Sequence, residues 1–443
     1  MGCTLNQYTI QIIFKEKFMN QQNHDRAESL PIPAPDLKVI DQMQIGFVKR
    51  FTDVKQAKLE GKPVVYTTVL APREILQAMG VPYVFGNVLG AYVSIFGYSA
   101  KYCQIAEDLG LSREVCAAHR CTVGLSQHDE REDFFNLAYT EPDLVIGSNF
   151  PCSAESKSFL YVIDRYKTPS YIIDTPANTW KCPVPEHAVT YLARQYQGMI
   201  RFLEENGYTL DMDKLREEVA FSKRLNELIA EVEVYRRAVP TPIKAYDSVI
   251  AACTPLLVSK ESGAELLFEK LRDELKERVD NGIGIVPNER LRLLWIGIPP
   301  LCDFKLLNYP EKHGAVVAKS LVEFLTGFNL DPDLIDPDNP LESLARASIS
   351  SPINPTSQGM VDYFVQAVKD YRIDGVVSIT KRTCCLLPGS QRLIKDAIFK
   401  ETGVPSVIFD LDCIDARDYD AAAAHANLDS FVEILMAKKG AAS

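Results

Sequence analysis

The sequence lacks the features that would tie a chain to a membrane or a polyanion. Its longest apolar runs, such as Val64 to Ala71, are broken by polar residues well short of the roughly 18 needed to cross a bilayer. Acidic residues outnumber basic ones, 59 against 48, and the net charge of −11 repels nucleic acid rather than gathering it. Glycine and proline, 23 and 26 of 443 residues, are too few for a collagen-like or disordered chain. No secretory signal is recognisable, so the 11 cysteines are not expected to form a disulfide framework. Reduced thiols, buried or metal-binding, and a cytoplasmic location are expected instead. Met1-Gly2-Cys3 has the outline of a lipidation signal, but Asn6 stands where Ser or Thr is wanted.

What is present is a core-forming composition, 47% hydrophobic, in a chain long enough for about three domains or two large ones. Residues 1–36 carry little periodicity, hold a polar run from Asn20 to Asp25 and end in Pro31, Pro33 and Pro35, which reads as a flexible lead. Helical spacing from Leu37 to about Leu59 is followed by a buried-strand pattern at Val64 to Leu70, with Pro72 opening the next helix. Further strands are expected at 82–86, Asp143 to Asn149 and Ser170 to Asp174, with helices near 90–109 and 156–167. From Glu186 to about Asn281 the pattern changes to long amphipathic helices. Strands resume at Leu291 to Ile298, Ala315 to Val317, Gly375 to Ile379 and Ser406 to Leu411, alternating with helices near 356–371, 391–401 and 427–438. The expected fold is α/β, with two Rossmann-like parallel-sheet domains facing a central cleft and joined by a helical segment. The boundaries are 1–36 for the lead, 37–185 for the first α/β domain, 186–285 for the helical insert and 286–443 for the second α/β domain.

The two halves repeat one arrangement. Asp143-Leu144-Val145-Ile146-Gly147-Ser148 runs to Cys152 and precedes the Pro169-Ser170 strand. Asp374-Gly375-Val376-Val377-Ser378 runs to Cys384 and precedes the Pro405-Ser406 strand. Open α/β sheets bind ligands outside the carboxyl ends of their strands, so facing domains would aim both cysteines at one cleft.

Free cysteine is usually a small buried hydrophobe, the expectation for Cys103 and Cys253, with Cys182 and Cys302 ambiguous. Cys116, Cys121, Cys152, Cys384 and Cys385 fall instead at strand or helix ends beside small or polar residues, where ligands sit. Neither C-x2-C nor H-x3-H occurs, which argues against a zinc ribbon. Thiols scattered over two domains suit an iron–sulfur cluster at their interface, with Lys381, Arg382 and Arg120 to supply positive charge; the alternative for those three is a solvated basic face.

Several motifs then carry a resemblance over about residues 60–438. They are Ala71-Pro72-Arg73-Glu74-Ile75-Leu76-Gln77-Ala78-Met79-Gly80, Cys116 with Gly124 eight residues on, Cys152 after its strand, Arg382-Thr383-Cys384 with Gln391 seven residues on, and Asp412 with Asp415-Ala416-Arg417. In this order they resemble a subunit of the 2-hydroxyacyl-CoA dehydratase and benzoyl-CoA reductase family, similar to the 2-hydroxyglutaryl-CoA dehydratase D-component. The resemblance implies one [4Fe-4S] cluster on Cys116, Cys152 and Cys384, with Cys121 and Cys385 as possible substitutes. It also implies a second related iron–sulfur subunit, an ATP-hydrolysing electron activator and an acyl-CoA thioester substrate. The first implied activity is elimination of water from a 2-hydroxyacyl-CoA through a ketyl radical. The alternatives are dearomatising reduction of benzoyl-CoA and, in another class, electron transfer with no CoA substrate. The stretch Phe85-Gly86-Asn87 departs from the family pattern, which often has an acidic residue beside that Asn, so no acid–base residue is assigned. The segment around Trp295 to Ala315 is closer to the larger reductase subunit.

Because Met1 to Phe18 adds nothing to this pattern, Met19 is an expected natural start. Removing residues 1–18 should leave yield, iron content and activity unchanged, and a loss in any of the three would refute this.

Overall fold

The computed structural model describes residues 33–150, 152–177, 184–322, 330–351, 357–381, 383–386 and 388–442. Most of the expected lead, together with Cys182 and Arg382, lies outside them.

The first half of the chain builds helix α1 (Lys38–Leu59), β1 (Val65–Thr67), α2 (Arg73–Ala78), β2 (Tyr83–Phe85), α3 (Gly86–Ile95), α4 (Ser99–Asp108), α5 (Ala117–Gln127), α6 (Asp133–Ala138), β3 (Leu144–Ser148), α7 (Ser153–Tyr166) and β4 (Ser170–Ile173). Four helices follow: α8 (Glu186–Glu205), α9 (Met212–Arg236), α10 (Ala245–Leu257) and α11 (Ala264–Asp280). The chain then returns to α/β alternation with β5 (Leu291–Ile296), β6 (Ala315–Ser320), α12 (Pro340–Ser350), α13 (Ser357–Asp370), β7 (Gly375–Thr380), α14 (Pro388–Thr402), β8 (Ser406–Asp410) and α15 (Ala421–Ala442).

The strands form two four-stranded parallel sheets, ordered β2-β1-β3-β4 and β6-β5-β7-β8. The fold is therefore α/β with two Rossmann-like units, and the repeat read from the sequence is a repeat of topology: β3 and β7 hold the same place, as do β4 and β8. Central strands of parallel sheets are covered on both faces. Accordingly β1, β3 and β5 are buried along their whole length, whereas the edge strands β4 and β8 are partly exposed. In each sheet the strand order reverses between the first and third strands in sequence, the topological switch point at which such sheets hold ligands.

The apolar core does not stop at the boundary between the sheets. One cluster of buried side chains runs from Tyr66, Val84 and Val145 of the first sheet to Leu293, Trp295 and Val377 of the second. A second joins the opposite face of the first sheet to α1, the four-helix segment and α12, and a third packs α13 and α14 on the second sheet. The start of α1 is tied down by Asp247 of α10, whose Oδ2 accepts from the Asp36 and Leu37 N–H groups at 2.9 Å each.

Two differences from the sequence expectation have local causes. The helix expected over 90–109 is two helices, because Gly97 takes φ +81° and Tyr98 N–H closes on Val93 O at 2.9 Å, ending α3. Helix α5 gave no helical pattern because it is buried almost all round; polar His119, Arg120, Thr122 and Ser126 lie inside with the apolar residues. Gly124 lets it do so, since a Cβ there would stand 2.0 Å from the Tyr102 carbonyl oxygen of α4.

Gly124→Ala should therefore displace α5 and lower stability by about 1–3 kcal/mol in denaturant unfolding, the usual cost of overpacking. Gly389→Ala, where a Cβ meets nothing within 4 Å, should be tolerated.

Candidate functional site

Both sheets send cysteines from the ends of their elements toward one place. Cys116 is the N-cap residue of α5 and Cys152 that of α7. Helix N-termini carry unpaired N–H groups and a partial positive charge, which favour a thiolate. Cys384 follows β7, its N–H closing a turn on Lys381 O at 2.9 Å. All three thiols are half-buried, and neighbouring Cys385 is exposed.

The link between the halves is Lys381. Its buried Nζ lies 3.4 Å from Cys116 Sγ and 3.5 Å from Asp412 Oδ1. Burial alone would lower the pKa of this ammonium, but the negative charge of Cys116 and then of Asp412 outweighs it and holds Lys381 above the usual lysine range. Cys152 faces thiols from both sheets: burial, then Cys385, Glu155 and Cys116, push its pKa up.

Two residues beside Cys152 were not singled out by sequence reasoning. His119 Nε2 stands 3.8 Å from Cys152 Sγ, and its Nδ1 is 3.2 Å from Ser158 Oγ. Burial, then Lys381, lower His119 to about 4, so the ring is neutral at pH 7. The Ser158 hydroxyl donates to Glu155 O at 2.7 Å, so Ser158 accepts from Nδ1–H and leaves the Nε2 lone pair toward the Cys152 thiol. Glu155 itself is buried and pushed up to about 7 by burial, with the Thr68 hydroxyl opposing that shift. Its Oε1 has no partner among the described residues. The only sequence signal for either residue was position, His119 three residues after Cys116 and Glu155 three after Cys152.

The remaining motif residues are fasteners for this site. Gln391 Nε2 donates to Ile379 O at 2.5 Å and its Oε1 accepts from the Thr380 hydroxyl, fixing the end of β7 before Lys381. Asp412 Oδ1 accepts from the Ile414 and Asp415 N–H groups at 2.8 and 2.9 Å. Asp415, fully buried, meets Arg120 of α5 at 3.0 Å and Arg417 at 2.7 Å, and both arginines also pair with Glu107. Lys381 and Arg120 are thus buried ion-pair partners and not a solvated basic face.

The other thiols sit differently. Cys121 Sγ turns into the α4–α5 packing, 3.5 Å from Cys103 Sγ, and burial pushes its pKa up. Cys302 is half-buried and raised to about 12, by burial first, and Cys413, which sequence reasoning did not weigh, is buried behind Cys384. Among the described residues no group of three His, Cys, Asp or Glu side chains closes on a single ion. A zinc ion with ligands at about 2.3 Å needs such closure, whereas a cubane needs thiols held apart by its own width. The described candidates are separate half-buried thiols, with a buried cation beside Cys116.

Known proteins resemble this sequence over most of its length. Residues 68–435 match the model of the 2-hydroxyglutaryl-CoA dehydratase D-component family, and the chain belongs to that family. It is 25% identical over 402 residues to the (R)-phenyllactyl-CoA dehydratase alpha subunit of Clostridium sporogenes, covering 87% of this chain and 93% of that one. It is 26% identical over 416 residues to the lactoyl-CoA dehydratase alpha subunit of Anaerotignum propionicum, covering 88% and 94%. A benzoyl-CoA reductase subunit of Thauera aromatica is 24% identical over 356 residues, covering 76% and 80%. The chain is thus an enzyme subunit of the dehydratase and reductase kind. No helix among the described residues is long and apolar enough to cross a membrane.

Glu155 gives a pH prediction. Its folded pKa, about 7, lies above the ordinary 4.5, so the stability it contributes is full below about 4.5 and is lost as pH rises to about 7. The loss is on the order of 3 kcal/mol. Glu155→Gln should remove that slope from unfolding curves of the cofactor-free chain between pH 4.5 and 7, and an unchanged slope would contradict the assignment.

Proposed function

We propose that this chain is the [4Fe-4S]-bearing subunit of a 2-hydroxyacyl-CoA dehydratase, which converts a 2-hydroxyacyl-CoA to its enoyl-CoA. The observation that carries this reading is the buried Lys381 ammonium from one sheet set against the Cys116 sulfur of the other. Cys116, Cys152 and Cys384 would hold the cluster, with Cys121 and Cys385 as substitutes. When bound, a cluster held by three thiolates supplies one-electron chemistry and an iron open to a substrate oxygen.

The chain's own residues do the rest. Cys116 and Cys152 cap the N-termini of α5 and α7, and the Lys381 ammonium stands beside Cys116, so positive charge lies where the cluster's thiolates would sit. In the cofactor-free chain His119 Nε2 faces the Cys152 thiol and holds that side chain in place. Glu155 holds a proton near neutral pH with Oε1 unengaged, the property needed of a group that gives or takes a proton beside the thioester. The dehydratase relatives cover nearly the whole chain, which favours elimination of water. They are named as alpha subunits, which supports a second related subunit, and a redox-neutral radical elimination calls for an ATP-hydrolysing activator to inject the first electron.

The match to a benzoyl-CoA reductase subunit favours a second reading, ring reduction, and electron accounting separates the two. Dehydration returns its electron, so ATP should be needed only in catalytic amounts with a 2-hydroxyacyl-CoA; ring reduction consumes two electrons and must consume ATP in step with product. ATP use in strict proportion to an aromatic product, with no dehydration, would overturn the first reading. For the cluster, Cys116→Ala, Cys152→Ala and Cys384→Ala should each lose most of the iron after anaerobic purification, whereas Cys253→Ala should retain it. Retention by Cys384→Ala would point to Cys385.

A further inference from the structure

The acyl group is left open by that reading, and a second cavity bears on it. A cavity of about 50 Å³ lies beyond the carboxyl ends of β1 and β3, against α8 and α12, with room for a few water-sized groups. Its apolar walls include Val69, Leu70, Pro72, Phe150, Leu330 and Leu344. Leu70 and Phe150 also pack, with Cys384 and Leu386, against the buried cluster around β7. The cavity and the cysteine-bearing loop of the other sheet therefore border the same apolar cluster. Thr68, which faces Glu155, immediately precedes Val69.

The charged groups in its described wall are Arg73 and Glu74, both from the motif that opens the family resemblance. Both are buried and spent on the fold. Arg73 pairs with Glu74 at 3.4 Å and donates to the Pro255 carbonyl, and Glu74 accepts from the Ser222 hydroxyl at 2.7 Å. The Tyr196 hydroxyl is likewise engaged, donating to Ser348 Oγ at 3.1 Å. Among the described residues a carboxylate entering here would meet no cation but Arg73, already paired with Glu74, and an unpaired buried charge is strongly disfavoured. The larger part of the wall is apolar; its polar part also includes Thr175 and the Ser351 hydroxyl, which has no partner among the described residues.

Resting on the dehydratase reading, we infer that this cavity receives the side chain of the acyl group and selects an uncharged apolar one, rejecting a substrate with a second carboxylate. Leu70, Phe150 and Leu344 are the specificity-determining residues.

The test is calorimetric binding of two saturated, unreactive thioesters, isocaproyl-CoA and glutaryl-CoA, to the purified holoenzyme. Isocaproyl-CoA should bind at least a hundredfold more tightly, and kcat/KM for the corresponding 2-hydroxyacyl-CoA pair should follow the same order. Leu344→Arg, which puts a cation into the wall, should narrow the binding ratio at least tenfold. Equal binding of the two esters, or tighter binding of glutaryl-CoA, would overturn the inference while leaving the dehydratase reading intact. A folded Leu344→Arg with an unchanged ratio would move the subsite elsewhere. Binding of neither ester would overturn both readings. The wild-type comparison requires no variant and so stands even if Leu344→Arg does not fold.

Discussion

One buried ammonium organises the site. Lys381 sits at the end of β7, between a sulfur of the first half and a carboxylate of its own, and a charge so placed is tolerated only while both partners remain. Much of the surrounding structure keeps them there. Gln391 closes the end of β7, the Asp412 loop is wound by its own backbone N–H groups, and Gly124 brings α5 close enough to α4 to point Cys116 across the boundary. Residues far apart in sequence thus serve one electrostatic arrangement.

Where side chains followed a simple period, the sequence declared the fold. Val65-Tyr66-Thr67 and Leu144 to Ser148 are short apolar runs because parallel strands are covered on both faces, and α8 and α11 have the regular apolar stripe of helices with one face in solvent. Helix α5 was missed for the opposite reason: polar residues that would normally mark a solvent face are inside, bonded to protein groups. The same difficulty hid the meaning of Lys381 and Arg120. Charge in a sequence suggests a wet surface, and only the meeting of two halves shows that these are buried and paired. The cysteines could be nominated from strand and helix ends, but His119 and Glu155 lie beside Cys152 and acquire their altered protonation from burial, which no local pattern encodes.

The repeat of topology gives the two halves unequal tasks despite equal form. In the first, the strand after the switch point leads to Cys152 on a helix N-terminus; in the second, the equivalent strand leads first to Lys381 and then to Cys384. One unit contributes sulfur from helix ends, whereas the other contributes sulfur together with the compensating positive charge. Two copies of the first unit would lack that charge.

The seam of Arg120, Asp415, Arg417 and Glu107 also constrains motion. Separating the halves along this side would break the Arg120–Asp415 and Arg417–Glu107 pairs and leave each half only its internal pair, Arg120 with Glu107 and Arg417 with Asp415. The four groups thus cross-brace the two halves, and motion between the halves on this side must break two ion pairs at once.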